Sequence, residues 1–255
     1  MTDSPAVPFG ISDLRAPLIG REAEIAALKA AADDVRHAGT MRVATLIGPG
    51  GVGKSRIVAE FLSELRSAGG KLPRVYRGSA RDLRLSYGVF ARLLRSRFGL
   101  VEGMDAEAAK AQMRAQVSKV LDDRKVGDVC FFLGQLMNLA FQESPLTRAV
   151  AEDALQARLL RRAIIKSFFE SDAAQGPVCL VFEDLHFADD DSVELLRYLI
   201  ENLAGPILLL CTARPELSSR HEDWFEFGRA RHQRLEIGPL SDDIAAEVMR
   251  ALLAP

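Results

Sequence analysis

Two short stretches carry residues whose types and spacing could do chemistry. The first, GPGGVGKS over 48–55, has the order of a phosphate-binding loop, GxxxxGK[ST]. Gly48, Gly50, Gly51 and Gly53, with Pro49 and Val52 between them, allow positive φ and bring backbone N–H groups close to an anion. Lys54 would reach the β- and γ-phosphates and Ser55 would ligate Mg²⁺, with Arg56 next in the same helical turn. The second stretch, VFEDLHFADDD over 181–191, places five carboxylates within nine positions, directly after an apolar run. Glu183 and Asp184 stand at the carboxyl end of that run, where open parallel α/β sheets bind ligands; with Ser55 they would hold the metal shell and orient a water. Asp189 to Asp191 are expected to open a helix, with Asp191 and Glu194 at capping-box spacing. His186 has two readings, a contact to the metal shell or γ-phosphate and a structural hydrogen bond.

The elements that must position these residues follow from hydrophobic period and turn signals. An Ala-rich helix ends near Gly39, and Val43 to Gly48 reads as the first strand. The helix after the loop puts Ile57, Val58, Phe61, Leu62 and Leu65 on one face, and Gly69 and Gly70 stop it. PRVYRG is the second strand. Helical spacing then runs over Tyr87–Phe98, Ala106–Leu121, Asp128–Phe141 and Arg148–Phe169. Strands resume with PVCLVF, PILLLCTA and QRLEIG, separated in part by a helix over Ser192–Leu203.

The expected class is α/β: a P-loop NTPase three-layer sandwich with a central parallel sheet, a large helical insertion and the start of a helical lid. Residues 1–16 read as an irregular arm and 17–238 as the P-loop domain, with the insertion at about 86–172. Residues 239–255 read as a truncated lid, in which Ser241 caps a helix with Ile244, Val248 and Leu252 on one face. A net charge of -2 with interleaved signs offers no basic stripe, so direct nucleic-acid binding is not expected. The N-terminus lacks a signal pattern and no apolar run reaches the roughly 20 residues of a bilayer span, which predicts no membrane partner and a cytoplasmic chain. Cys130, Cys179 and Cys211 have no metal or redox spacing and read as core residues.

In order, LIGREAEIAAL, GPGGVGKSRIVAEF, VCLVFEDLHFADDDSVELL, LLLCTARPE and LEIGPLSDDIAAEVMRALL resemble the ATPase module of the STAND signal-transduction class. Its relatives include MalT-like and large LuxR-type regulators and cyclase- or kinase-associated modules, often catalogued as Orc1-like AAA domains. The resemblance implies that Gly20 and Arg21 lie near the nucleotide, that Arg214 senses the γ-phosphate and that Pro239 touches adenine. A surface Arg and a turn Pro are the plain readings of the last two. The implied catalytic set is Asp184, Glu183, Lys54 and Arg214, the implied ligands ATP or ADP with Mg²⁺. The implied function is a slowly hydrolysing ATPase in a signal-transduction or transcription-regulatory switch. Its partners would be C-terminal lid, winged-helix and effector or sensor domains, and possible ATP-dependent copies of itself.

Many P-loop ATPases carry Asp before Glu or Asp at the strand end, whereas this chain has Glu183 before Asp184, which predicts slow turnover. Two alternatives stay open: an AAA-type ring ATPase, and a non-catalytic nucleotide-binding or interaction module. Against the ring, Arg214 stands where such motors place Asn, and Arg158 to Arg162 read as a solvated helix face rather than a trans finger. No NKxD motif supports guanine binding.

Overall fold

The computed structural model describes residues 18–67, 73–81 and 86–253. The expected arm 1–16 and the helix stop at Gly69 and Gly70 lie outside them. Helix α1 (Glu22–His37) buries Ile25, Leu28, Ala32 and Val35 at three- and four-residue spacing, with Glu22 and Glu24 in its first turn and Arg36 and His37 in its last, as the helix dipole favours. Strand β1 (Arg42–Ile47) leads through the glycine loop into α2 (Lys54–Ser67), which buries the face that the sequence pattern indicates. Strand β2 (Arg74–Ser79) follows.

The insertion comprises α3 (Gly88–Phe98), α4 (Ala106–Val117), α5 (Asp123–Leu136), α6 (Pro145–Ala151) and α7 (Ala154–Ala174). The chain then continues through β3 (Val178–Glu183), α8 (Asp190–Asn202), β4 (Ile207–Ala213), α9 (Glu216–Arg220), β5 (His232–Glu236) and α10 (Asp242–Leu253). The five strands form one sheet in the order β2-β3-β4-β1-β5, and every neighbouring pair is parallel.

Strands β3 and β4 are almost wholly buried because both faces of the sheet are covered. Along β4, Leu208 and Leu210 pack with α1 and α2, whereas Leu209 and Cys211 pack with the insertion and α8. The two-residue period of the strand thus divides the core into two, one on each side of the sheet. Burial pushes the Cys179 and Cys211 thiols up to about 12 and the Cys130 thiol up to about 11. All three are protonated and unreactive at neutral pH.

Asp172, fully buried near the end of α7, ties the insertion to the sheet. It accepts from Arg74 at 2.7 Å, and from Arg97 on α3 at 2.8 Å on each oxygen. A buried carboxylate is tolerated here because two guanidinium groups surround it.

The structure differs from the sequence pattern in several places. The helix expected over Arg148–Phe169 is two, because Asp153 leaves helical geometry and accepts from the N–H groups of Leu155 and Gln156, capping α7. Helix α5 lies five residues earlier than its pattern, and the chain turns at Asn138, φ 58°. The α8 cap is Asp189, which accepts from the Ser192 N–H at 2.9 Å, rather than the Asp191–Glu194 pair. The first Asp of the run keeps extended backbone while the next two are already helical. Asp191 instead accepts from the Ser86 hydroxyl, and Glu194 pairs with Arg158 and Arg162, so those arginines are not simply a solvated face.

Candidate functional site

The carboxyl ends of β1, β3 and β4 lie side by side, which collects the glycine loop, the acid pair and Arg214 at one edge of the sheet. Within the loop, Gly51 (φ 82°) and Gly53 (φ 93°) occupy the left-handed region that side chains disfavour. Gly48 is required for a different reason: a Cβ there would sit 2.1 Å from the carbonyl oxygen of Ile237, just beyond β5. Helix α2 starts at Lys54, so the N–H groups of Lys54, Ser55 and Arg56 have no acceptor within the helix and form an anion-attracting terminus.

Lys54 is buried and donates to the carbonyls of Gly48 and Pro49, both at 2.7 Å. Desolvation lowers its pKa, and the positive charge of Arg214 adds to the effect against Asp184 and Glu216. The Arg214 guanidinium lies over the loop, 3.2 Å from where a Cβ on Gly50 would be. Two cations thus meet at a helix amino terminus, an arrangement that an anion would relieve.

Glu183 accepts from Arg77 at 2.9 Å, and Asp184 pairs with Arg81 at 3.3 Å. Asp184 adopts φ 58°, and its N–H donates to the buried Thr212 hydroxyl at 3.1 Å, which fixes the turn out of β3. Among the described residues no three acids, histidines or cysteines converge into a metal cage. The donors offered by Ser55, Glu183 and Asp184 are hard oxygens, and both carboxylates already attract cationic groups. That set fits Mg²⁺, which takes one or two carboxylates and fills its remaining positions with phosphate and water.

His186 follows in a one-turn 3-10 helix, Leu185–Phe187. Both its ring nitrogens are buried without a partner, and burial lowers its pKa, with Asp184, Arg214, Glu216 and Lys54 as its charged neighbours. The structural hydrogen bond weighed for this residue is therefore absent.

A cavity of about 660 Å³ opens beside the loop, between Gly50–Gly53 and Arg56 on one wall and Pro239, Leu240 and Val248 on another. Arg21 lines it too, donating to the carbonyls of Gly238 at 2.5 Å and Val52 at 3.3 Å, so that it clamps the loop to the chain entering α10. Gly20 does not line the cavity: a Cβ on it would stand 2.6 Å from Ile244 of α10. Arg56, exposed on α2, pairs with Glu60 at 3.8 Å. Sequence reasoning passed over Thr212, Arg77, Arg81 and Glu216. The only signal for Thr212 was a hydroxyl inside an apolar strand, and for Arg77 and Arg81 their spacing along β2 and its end.

The sequence pattern of the AAA ATPase domain matches residues 17–210. An uncharacterized protein of Rhizobium meliloti (strain 1021) is 28% identical over 243 residues, which cover 92% of this chain and 22% of that protein. Among solved structures, Cdc6p from Pyrobaculum aerophilum aligns with TM-score 0.54 and 14% identity over 95% of this chain and 52% of its own. The Aeropyrum pernix Orc1 protein, solved in complex with DNA, gives TM-score 0.53 and 15% identity over 95% of this chain and 51% of its own. Drosophila ORC bound to DNA gives TM-score 0.55 and 14% identity over 100% of this chain and 55% of its own. At such identities these structures establish the fold alone. The chain spans about a fifth of the curated relative and about half of each solved chain.

Proposed function

The chain belongs to the AAA ATPase domain family, and from that premise we propose that it is the slowly hydrolysing, Mg²⁺-dependent ATPase module of a signal-transduction or transcription-regulatory switch. The observation that carries this reading is the meeting of Lys54 and Arg214 over the glycine loop, with Asp184 among the charges that act on Lys54.

Lys54 and the first N–H groups of α2 bind the β- and γ-phosphates, and Arg214 contacts the γ-phosphate from the end of β4. Adenine enters the cavity of Pro239 and Val248, beside Arg21. Ser55, Asp184 and Glu183 would hold Mg²⁺, which supplies charge neutralisation for the phosphates. Asp184 or Glu183 orients the attacking water, and the buried, neutral His186 stands ready to accept one hydrogen bond and donate another. Slow turnover follows from the arginines: Arg77 and Arg81 occupy the two carboxylates and must be displaced or share them.

As a switch, α10 is the element placed to respond, because it closes on Gly20 and lines the cavity by Ala245 and Val248. Its continuation in a longer protein would carry lid, winged-helix and effector or sensor partners, and ATP-dependent self-association is part of this reading. The test is a single-turnover experiment with excess protein and labelled MgATP. Lys54→Ala is expected to weaken ATP binding about 100-fold or more, while Asp184→Asn keeps binding and slows hydrolysis about 100-fold. Equal ATP binding by wild type and Lys54→Ala would overturn the proposal.

A further inference from the structure

The helical insertion lines a second, half-open cavity, of about 1000 Å³, which shares no lining residue with the one beside the glycine loop. Among the described residues three arginines line it, Arg92 and Arg95 of α3 and Arg161 of α7, against one carboxylate, Glu102. Elsewhere on α7, Arg158 and Arg162 both pair with Glu194, but the arginines of the cavity are held by uncharged groups. Arg92 donates to the carbonyls of Ser79 at 3.2 Å and Arg81 at 2.7 Å, and Arg95 to that of Met137 at 3.1 Å. Arg161 reaches the Tyr87 hydroxyl at 3.4 Å and Gln135 at 3.3 Å, and its guanidinium lies 5.4 Å from the Tyr87 ring centroid.

One further feature points at a ligand. Helix α3 opens onto the cavity at Gly88, where Tyr87 before it, held at φ 60°, makes no side-chain cap and donates its own N–H to Asp189 at 3.2 Å. Its first N–H groups add partial positive charge to the same space. The rest of the wall includes the apolar Leu100, Met104 and Leu136.

We propose that this cavity binds a small organic dianion: a phosphate group or a pair of carboxylates gripped by Arg95, Arg161 and the start of α3, joined to an apolar body that lies along Tyr87 and Met104. Among the described lining residues, three guanidiniums less one carboxylate leave an excess of two positive charges for the ligand to balance. Forked N–H donors match both oxyanions, and the volume suits one metabolite-sized molecule. The site is independent of the nucleotide reading, since none of its residues belongs to the loop or the acid pair.

Calorimetric titration of the chain with phenyl phosphate and with phthalate tests it. At least one of the two is expected to bind, with equal affinity for wild type and Lys54→Ala, which separates this cavity from the phosphate loop. Preference for phenyl phosphate assigns a phosphorylated ligand and preference for phthalate a carboxylate. Arg161→Met is expected to weaken binding about tenfold or more, the factor for a charge-assisted hydrogen bond. Ala91→Trp, which fills the cavity from α3, gives the same loss without touching an arginine, and thermal unfolding confirms that each variant is folded. No binding of either probe at about 10 mM, loss of binding in Lys54→Ala, or unchanged affinity in folded Arg161→Met or Ala91→Trp overturns the proposal.

Discussion

At the scale of single residues, the acid pair is defined as much by its partners as by its carboxylates. Arg81 is largely exposed where it meets Asp184, so the pair is worth at most about 1 kcal/mol. Arg81→Ala is therefore expected to free Asp184 and raise the single-turnover hydrolysis rate by up to about fivefold, leaving ATP binding unchanged. A rate equal to or below wild type would show that Arg81 does not compete for this carboxylate. Thr212 acts in the opposite sense, since its hydroxyl accepts from the Asp184 N–H and holds the left-handed turn that presents the side chain.

At the scale of elements, two close contacts decide how the loop and the insertion meet the sheet. Asp172 joins α7 to α3 and β2, and Asp172→Ala leaves Arg97, nearly buried, without its counter-ion. The expected cost is about 3–5 kcal/mol, read as a lower urea midpoint; a loss under about 1 kcal/mol would mean that water solvates the arginines in place. Gly48→Ala pushes a methyl group into the Ile237 carbonyl and must move either the loop or the chain leaving β5. It is expected to cost about 1–3 kcal/mol in the same assay and to weaken ATP binding with it.

At the scale of the molecule, burial holds three histidines below their ordinary pKa: His186 near the acid pair, His221 after α9 and His232 in β5. The Nδ1 of His232 lies 2.9 Å from the Phe227 carbonyl and donates to it, so its Nε2 accepts from Thr45, at 2.8 Å. Below the free histidine value of 6.5 the unfolded chain takes up protons that the folded one resists, so stability falls as pH falls. Thermal unfolding is expected to shift to lower temperature between pH 7.5 and pH 5.5, and His232→Gln to shrink that shift. A midpoint that does not move over this interval would contradict it. One chain of contacts runs from the arginine-lined cavity to the acid pair, from Arg92 to the Arg81 carbonyl and from the Arg81 side chain to Asp184. Among the described residues no helix is long and apolar enough to cross a membrane.

The sequence alone indicated the parallel sheet and the strand ends at which the loop and the acid pair stand, because each rests on local order. Short apolar runs rich in β-branched residues and bounded by turn residues read as strands buried on both faces, and the glycine spacing of the loop is itself the geometry. The helix faces of α1 and α2 were legible for the same reason, in residues such as Leu28 and Phe61. What only the tertiary structure decided depends on partners distant in the chain. Arg77 and Glu183 are 106 positions apart, Arg21 and Gly238 are 217 apart, and no period in the sequence couples them. The choice of Asp189 over Asp191 as the cap was likewise set by where the chain leaves the one-turn helix, and the arginine-lined cavity exists only because α3, α5 and α7 fold together around it. Side-chain electrostatics act through space, so a sequence can name the groups while the fold alone decides which of them meet.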